Sequence, residues 1–482
     1  MNKLLLIFFV LSGYHSFGQN GISWKNSMNI ASNNFGNLHP RISLDGSGNP
    51  LVIWGKTSDE SVYFSKWVAN SFTIPVKINP KWLTVATASW MGPDIASKGD
   101  TVYVVMKRTP EASDTNHIYI VSSFDGGSSF SLPVRVDFIN DSLSRFPTVT
   151  IDSDGNPIVG FMKFNASFAD SRWAVTKSID NGKSFFPDIK ASGWSNNNST
   201  VCDCCPGALF SAGNITAMVY RDNNSNIRDI WTGISSNNSD SYNSGFSVDN
   251  GKWLLNSCPA SGPDGVIIGD SLYSVYMSGS VGSYRSFLSK SSISSQSLSK
   301  VKGLTGSITG LNEQNYPRIA SDGKAGAIVW VQTVNGNKQL PILFTNNITE
   351  GFPTKFDTVD LGDITATDVA ISNGNIFAVW EDDNSGTVKF RSGNYDQVIS
   401  KTSLPSSVEM QIFPNPATEF LNVESPNSGS FSIHIYNSGG QLKYSSEAKS
   451  KAQFNISKYP TGIYYIKITS QKYFSTHKFI KQ

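Results

Sequence analysis

Pro40-Arg-Ile-Ser-Leu-Asp-Gly-Ser-Gly-Asn-Pro-Leu-Val-Ile-Trp54 reads as an alternating strand, a turn of Asp, Gly and Asn, and a second, apolar strand. The arrangement recurs from Pro93 (PDIASKGDTVYVVM), Pro147 (PTVTIDSDGNPIVGFM), Pro206 (PGALFSAGNITAMVY), Pro263 (PDGVIIGDSLYSVYM), Pro317 (PRIASDGKAGAIVWV) and Thr367 (TDVAISNGNIFAVWE). Successive starts are 53, 54, 59, 57, 54 and 50 residues apart. A third strand such as His117-Ile-Tyr-Ile-Val-Ser122 and a fourth such as Phe72-Thr-Ile-Pro-Val-Lys-Ile78 complete the unit. Four strands per unit at this period are what a β-propeller blade requires, and single blades must close into a ring to bury both faces. The expected fold is therefore all-β. Residues 20–400 form a propeller of six to seven four-stranded blades, seven being favoured, and a small C-terminal β-sandwich follows. Ile22-Ser-Trp-Lys-Asn-Ser-Met-Asn-Ile30 can add a strand to the last blade and latch the ring. A sandwich or solenoid of the same strands is the alternative.

The composition agrees with short strands and many turns. Of 482 residues, 40 are Gly and 21 Pro, with 12% aromatic and 16% charged. A formal net charge of +2 supplies no field to gather nucleic acid. Lys3 followed by Leu4-Leu-Leu-Ile-Phe-Phe-Val-Leu11 and a small-polar stretch to Gly18 reads as a signal peptide over residues 1–18. A buried N-terminal strand is the other reading of that run. No later segment has the length of a transmembrane span. Among five histidines, only His39 and His117 fall in the repeat body, which argues against a multi-histidine metal site and a Ser–His–carboxylate triad.

Two units carry a sharper mark between their third and fourth strands: Ser123-Phe-Asp125-Gly-Gly127-Ser-Ser-Phe130 and Ser178-Ile-Asp180-Asn-Gly182-Lys-Ser-Phe185. The carboxylate can accept backbone and hydroxyl bonds while glycine takes a left-handed angle and the aromatic packs beneath. These stretches resemble the Asp-box (BNR) pattern of the sialidase (neuraminidase) superfamily, and the body as a whole is similar to it. In that family the boxes are structural and lie away from the active site. The resemblance implies, if there is catalysis, an exo-sialidase type of glycoside hydrolase, with an arginine clamp for the substrate carboxylate, a Tyr–Glu nucleophile and an Asp acid/base.

In a propeller, the loops before the innermost strand and after the second strand share one face. They collect His39, Arg41, Asp94, Arg145, Asp264 and Arg318 with Lys107, Arg108, Lys163, Arg221, Asp222, Met277, Gln332, Glu381, Asp382 and Asp383. Charges of both signs suit a polar ligand, a glycan or glycoprotein. A solvated rim of loop charges is the alternative. Candidate catalytic residues are Arg41, Arg221, Arg318, Glu381 and Asp94, with guanidiniums suited to paired bonds with a carboxylate. Asp45 is a second candidate acid. The competing function is a non-catalytic propeller that binds glycan or protein at the cell surface.

The cysteines are Cys202, Cys204, Cys205 and Cys258, in Val201-Cys-Asp-Cys-Cys-Pro206 and Ser257-Cys-Pro259. In an exported chain they predict two disulfides, one joining Cys258 to the triplet, with the pairing open. No cofactor is expected, and the alternative at this cluster is a thiolate site for a soft metal ion, helped by Met277.

After a polar linker at 401–410, residues 411–482 change to Lys-containing alternating strands, for example Phe431-Ser-Ile-His-Ile-Tyr436. Phe413-Pro-Asn-Pro416, Tyr436-Asn-Ser-Gly-Gly440, Pro460-Thr-Gly-Ile-Tyr464 and Lys478-Phe-Ile-Lys481 resemble the C-terminal sorting domain of the type IX secretion system. That implies engagement of the secretion machinery and passage via the periplasm to the medium or the outer cell surface. A carbohydrate-binding sandwich is the alternative.

Overall fold

The computed structural model describes residues 21–395 and 410–482, except 32–33, 112–115, 138–141, 166, 197–199, 425–429 and 470–473. The signal peptide expected at 1–18 and the linker residues 401–409 lie outside the described residues. The chain divides into two compact units, 1–397 and 398–482.

The first unit is a ring of seven antiparallel sheets. Their innermost strands are Asn37–Leu44, Asp94–Lys98, Ser142–Ile151, Ala208–Ala212, Asp264–Ile268, Leu311–Ser321 and Ile364–Ser372, here blades one to seven. Each innermost strand touches that of the next blade, and the seventh touches the first. The seven repeat starts fall in or beside these strands, so the period located every blade.

The ring closes with chain from both ends. Ile22–Trp24 pairs with Thr387–Tyr395 as the outermost strand of blade seven, in the register Ile22 to Tyr395. Ile22 is fully buried between blades six and seven with Val329, Val369 and Trp380. Between blades the filling is apolar. Trp54, Met106, Phe161, Tyr220, Tyr276, Trp330 and Trp380 occupy corresponding places on the second strands, and all are buried. Burying such large side chains is the main favourable term for the ring.

Carboxylates tie adjacent blades at the axis. Asp94 Oδ2 accepts from Thr148 Oγ1 (2.9 Å) and Val149 N (3.1 Å) of blade three. Asp264 Oδ2 accepts from Ile319 N (2.9 Å) of blade six, and Asp368 Oδ2 from Ile42 N (3.0 Å) of blade one.

The two Ser-x-Asp turns close as their residue types require. Ser123 Oγ donates to Asp125 Oδ1 (2.7 Å) and accepts from Gly127 N (2.9 Å), while Ser129 donates twice to Asp125. Ser178, Asp180, Gly182 and Ser184 repeat this geometry. Phe130 meets Phe64 edge-on and Phe185 is buried beneath its turn. Blade four has a third copy that sequence reading missed. Ser235 Oγ donates to Asn237 Oδ1 (2.8 Å), and Ser241 N donates to the same oxygen (3.1 Å). Asn237 replaces the aspartate, Ser239 stands in the left-handed position of the glycine at φ 60°, and Tyr242 is the buried aromatic.

The tail is a sandwich. Gln411–Phe413, Phe420–Glu424 and Lys451–Asn455 form one leaf, and Leu442–Lys449, Ser430–Asn437, Gly462–Thr469 and Phe474–Lys481 form the other. The leaves join at the pair Lys449–Lys451 and at a bridge between Ala417 and Lys481. Leu421, Val423, Ile433, Ile435, Phe454, Ile466 and Ile468 fill the space between them. The Pro-Asn-Pro segment is clasped to the basic end: Asn415 Nδ2 donates to Lys478 O (3.0 Å), and Asn415 Oδ1 accepts from Ile480 N (3.0 Å).

Candidate functional site

The innermost strands enclose a cavity of about 380 Å³ on the ring axis. In six blades the residue after the repeat proline, or after Thr367 in blade seven, occupies one register: Arg41, Asp94, Thr148, Asp264, Arg318 and Asp368; in blade four that register is held by Ala208. Asp368 was missed in the sequence, although its position after Thr367 matches the Pro-Arg and Pro-Asp pairs of other units.

Two residues earlier the strands of blades one, three, six and seven bulge. His39, Phe146, Tyr316 and Ala366 there have φ of 57°, 50°, 51° and 32°. Left-handed angles are costly for residues with a Cβ, and bulges re-aim side chains. All four line the cavity, with Ser89, Trp90 and Met91 from the loop before blade two. Trp90 packs on Phe146 with ring centres 5.5 Å apart. The aromatic wall was not anticipated, since a residue preceding a strand proline carries no mark of cavity exposure.

The two cavity guanidiniums differ in their neighbours. Arg318 Nε lies 3.1 Å from Asp368 Oδ1 and 3.4 Å from Asp264 Oδ2. Burial would lower its pKa, but Asp264, Asp368 and Asp94 outweigh burial and raise it. Arg41 is half-buried, donates to the carbonyl of Pro40 (2.9 Å), and forms no ion pair within 4.0 Å among the described residues. Burial and the like charge of Arg318 hold its pKa down at about 10, against the longer-range pull of Asp368, Asp94 and Asp264. Burial also pushes Asp264 up to about 6, against Arg318. His39 is held well below its usual value by burial and by Arg41, so it is neutral at pH 7.

Glu381 sits behind this wall, 2% exposed. Its Oε1 accepts from Ser89 Oγ (2.8 Å) and its Oε2 from His39 N (3.2 Å). Burial pushes its carboxyl up to about 7, partly opposed by those two donors and reinforced by Asp383. Its charge also raises Tyr316, after burial and Glu313. Glu381 thus holds the left-handed His39 and Ser89 in place. Asp94, expected as an acid, has Oδ2 committed to blade three and Oδ1 to Ile95 N (3.0 Å).

Other expected face residues have left the cavity. Arg221 is 1% exposed and donates to the carbonyls of Ser261, Arg228 and Met277, with Trp253 stacked on it at 5.2 Å. Backbone carbonyls occupy four of its five N–H donors, so it knits blades four and five and keeps no free paired edge for a carboxylate. Asp222 is buried against the Ser195 hydroxyl, which donates to it, and burial pushes it up to about 6. Asp382 pairs with Lys389, and Arg108 lies over exposed Trp82 at 5.8 Å. Asp45 caps its own turn, accepting from Ser47 N and Asn49 N. Lys107 and Arg145 both pair with Glu111, Lys163 pairs with Asp188, and Gln332 accepts from Trp330 Nε1.

Cys204 is bonded to Cys258, as the sequence allowed. The second expected disulfide is absent: Cys202 and Cys205 are buried thiols with sulfurs 3.2 Å apart. Cys202, Cys204 and Cys205 place three sulfurs within 4.8 Å of one another. One of these is already spent in a disulfide. The hydrogen bond with Cys205, and after it the charges of Arg221 and Arg228, hold the Cys202 pKa down against burial. Two thiols beside two cations suit oxidation better than capture of a metal cation.

Residues 411–482 match the family described as the secretion system C-terminal sorting domain. A tail of this kind directs the chain out of the cell, to the medium or the outer surface, and engages the type IX machinery. No helix among the described residues is long and apolar enough to cross a membrane. No curated protein matches the sequence. Among solved structures, the chain is similar to an α-L-arabinofuranosidase from Fusarium graminearum at 12% identity and a TM-score of 0.46, covering 68% of this chain and 99% of that one. It is similar to the NanB sialidase of Streptococcus pneumoniae at 11% identity and a TM-score of 0.43, covering 78% and 93%. A protein of unknown function from Dyadobacter fermentans aligns at 10% identity and a TM-score of 0.45, covering 78% and 99%.

Proposed function

We propose that the exported chain is a glycan-recognising propeller that seats a terminal acidic sugar in its axial cavity, with the sugar carboxylate on Arg41. The observation that carries this reading is the contrast between the two guanidiniums. Arg318 is neutralised by Asp264 and Asp368, whereas Arg41 is half-buried with no acid within 4.0 Å among the described residues. A partly desolvated guanidinium with no acid in direct contact has its paired donors open to a planar carboxylate. Trp90, Phe146 and Tyr316 supply apolar faces for the sugar ring. Binding alone is favoured because Asp94 and Glu381 have their oxygens engaged by blade-to-blade and wall-holding bonds.

A second reading, hydrolysis of the same sugar, is favoured by Tyr316 beside a Glu381 carboxyl pushed up to about 7. That value suits proton exchange near neutrality.

Calorimetric titration with a sialylated trisaccharide and its uncharged disaccharide core, on the wild type and Arg41→Gln, tests both readings. Binding of the acidic sugar alone, weakened at least tenfold by Arg41→Gln, supports recognition. Equal or absent binding of both sugars overturns it. Turnover of a fluorogenic sialoside that is lost in Glu381→Gln would promote the second reading.

A further inference from the structure

The four cysteines differ in access. Cys202 and Cys205 are buried, Cys204 is half-buried, and Cys258 is exposed. A solvent oxidant therefore meets Cys258 first and cannot touch the dithiol. Inside, the sulfurs form a continuous chain. Cys202 Sγ lies 3.6 Å from Cys204 Sγ and 3.2 Å from Cys205 Sγ, and Cys204 to Cys205 is 4.0 Å. Cys202, Asp203, Cys204 and Cys205 form one turn, closed by Cys205 N donating to Cys202 O (3.3 Å).

We infer that these cysteines form a thiol–disulfide relay in which the buried Cys202/Cys205 dithiol is oxidised through the surface-facing Cys204–Cys258 disulfide. In the first step the Cys202 thiolate attacks Cys204 Sγ. A Cys202–Cys204 bond forms, the Cys204–Cys258 bond breaks, and Cys258 leaves as a thiolate that takes a proton from water. In the second step Cys205 attacks Cys202 Sγ. The Cys202–Cys205 bond forms, Cys204 leaves, and the proton of Cys205 passes to it. No net oxidation has occurred, but the dithiol now stands at Cys204 and Cys258. An external disulfide, from a protein or small molecule of the exported compartment, then takes two electrons and two protons from that pair, becomes two thiols, and leaves a second crosslink behind. Exchange by this route follows thiolate character and access.

The electrostatics support the direction of attack. A hydrogen bond from Cys205, aided by Arg221 and Arg228, lowers the Cys202 thiol to about 7, while burial raises Cys205. The relay also adjoins the axial cavity. Pro206 and Gly207 follow Cys205, and Gly262 and Pro263 lie just past Cys258; all four line the cavity. A Cβ on Gly262 would fall 2.2 Å from Pro206 O, so the two crosslinked loops meet backbone to backbone. While Cys258 is released, this part of the wall loses its covalent tie.

The test compares the full chain with its Cys204→Ser/Cys258→Ser double variant under oxidised glutathione, with thiols trapped and mapped by mass spectrometry. The wild type should gain a Cys202–Cys205 disulfide, and the variant should form it at least tenfold more slowly. Equal rates would overturn the relay. Should the variant not fold, the wild type alone decides, held at pH 8 without oxidant and pulsed with an alkylating agent. Labelling of Cys258 at a rate above that of global unfolding, with Cys202 recovered in a disulfide to Cys204 or Cys205 in the same molecules, supports the relay. Labelling of Cys258 only at the unfolding rate sinks it.

Discussion

Arg318 and Asp368 hold the same register position on the innermost strands of adjacent blades, and Arg318 Nε lies 3.1 Å from Asp368 Oδ1. Arg41 occupies that register one blade further round and has no such partner among the described residues. The repeat thus presents identical side chains in unlike surroundings, and the neighbouring blade decides whether each is structural or available.

Arg318→Gln should cost about 3 kcal/mol, because it strands the buried carboxylates of Asp264 and Asp368. Arg41→Gln should change stability by less than about 1 kcal/mol, since no ion pair is broken. Chemical denaturation of both variants measures the difference. Equal losses would show that Arg41 is a structural charge too.

Asp94→Ala should cost about 2 kcal/mol by leaving Val149 N and Thr148 Oγ1 without their acceptor between blades two and three. An unchanged denaturation midpoint would remove Asp94 from the blade-to-blade ties and return it to the candidate acids.

Ile22→Ala should destabilise the propeller by about 3 kcal/mol, as expected for a fully buried aliphatic side chain. The loss falls at the latch between the two ends of the ring. Hydrogen exchange should accelerate first along Thr387–Tyr395, the strand that pairs with Ile22–Trp24. Uniform acceleration across all blades would contradict a local latch.

Burial raises Glu381 to about 7 and Asp264 and Asp222 to about 6. Ordinary carboxyls titrate near 4, so between about pH 4 and 7 the folded chain holds more protons than the unfolded one. Stability from these groups is complete below that window and falls as pH rises through it. Glu111 acts oppositely: its burial would raise it, but Arg145 and Lys107 draw it down to about 2, so its contribution is lost only in stronger acid. The buried, neutral His39 opposes part of this fall, since it favours the folded chain only as pH rises toward its ordinary value. It is one group against three, and scanning calorimetry should find Tm declining from about pH 5 toward pH 8. A Tm that rises from pH 5 to 8 would contradict these shifts.

Asn415→Ala should unclasp the Pro-Asn-Pro segment from the final strand, since it removes both bonds to Lys478 O and Ile480 N. In a host with this secretion machinery, the secreted fraction should fall while periplasmic chain accumulates. Unaltered secretion would show that the clasp is dispensable for sorting.

Period and alternation alone determined the ring, because strand pairing and blade packing follow from which residues are apolar at fixed intervals. The repeat starts located all seven innermost strands, Ile22–Trp24 was legible as the latch, and Phe413-Pro-Asn-Pro416 marked the sorting tail. Function at individual residues was not legible in the same way. Arg221 looked like a clamp until Ser261, Arg228 and Met277 brought three carbonyls to it from two blades. Asp94 and Asp264 look alike in sequence, yet each ties a different blade, and Asp368 escaped notice because its unit lacks the proline. Cys202 and Cys205 could be counted but not paired, since pairing depends on where Cys258 arrives from the next blade. Hydrogen bonds and charges act over a few ångströms, and in a closed ring the partners at that range come from units 50 and 54 residues away in sequence.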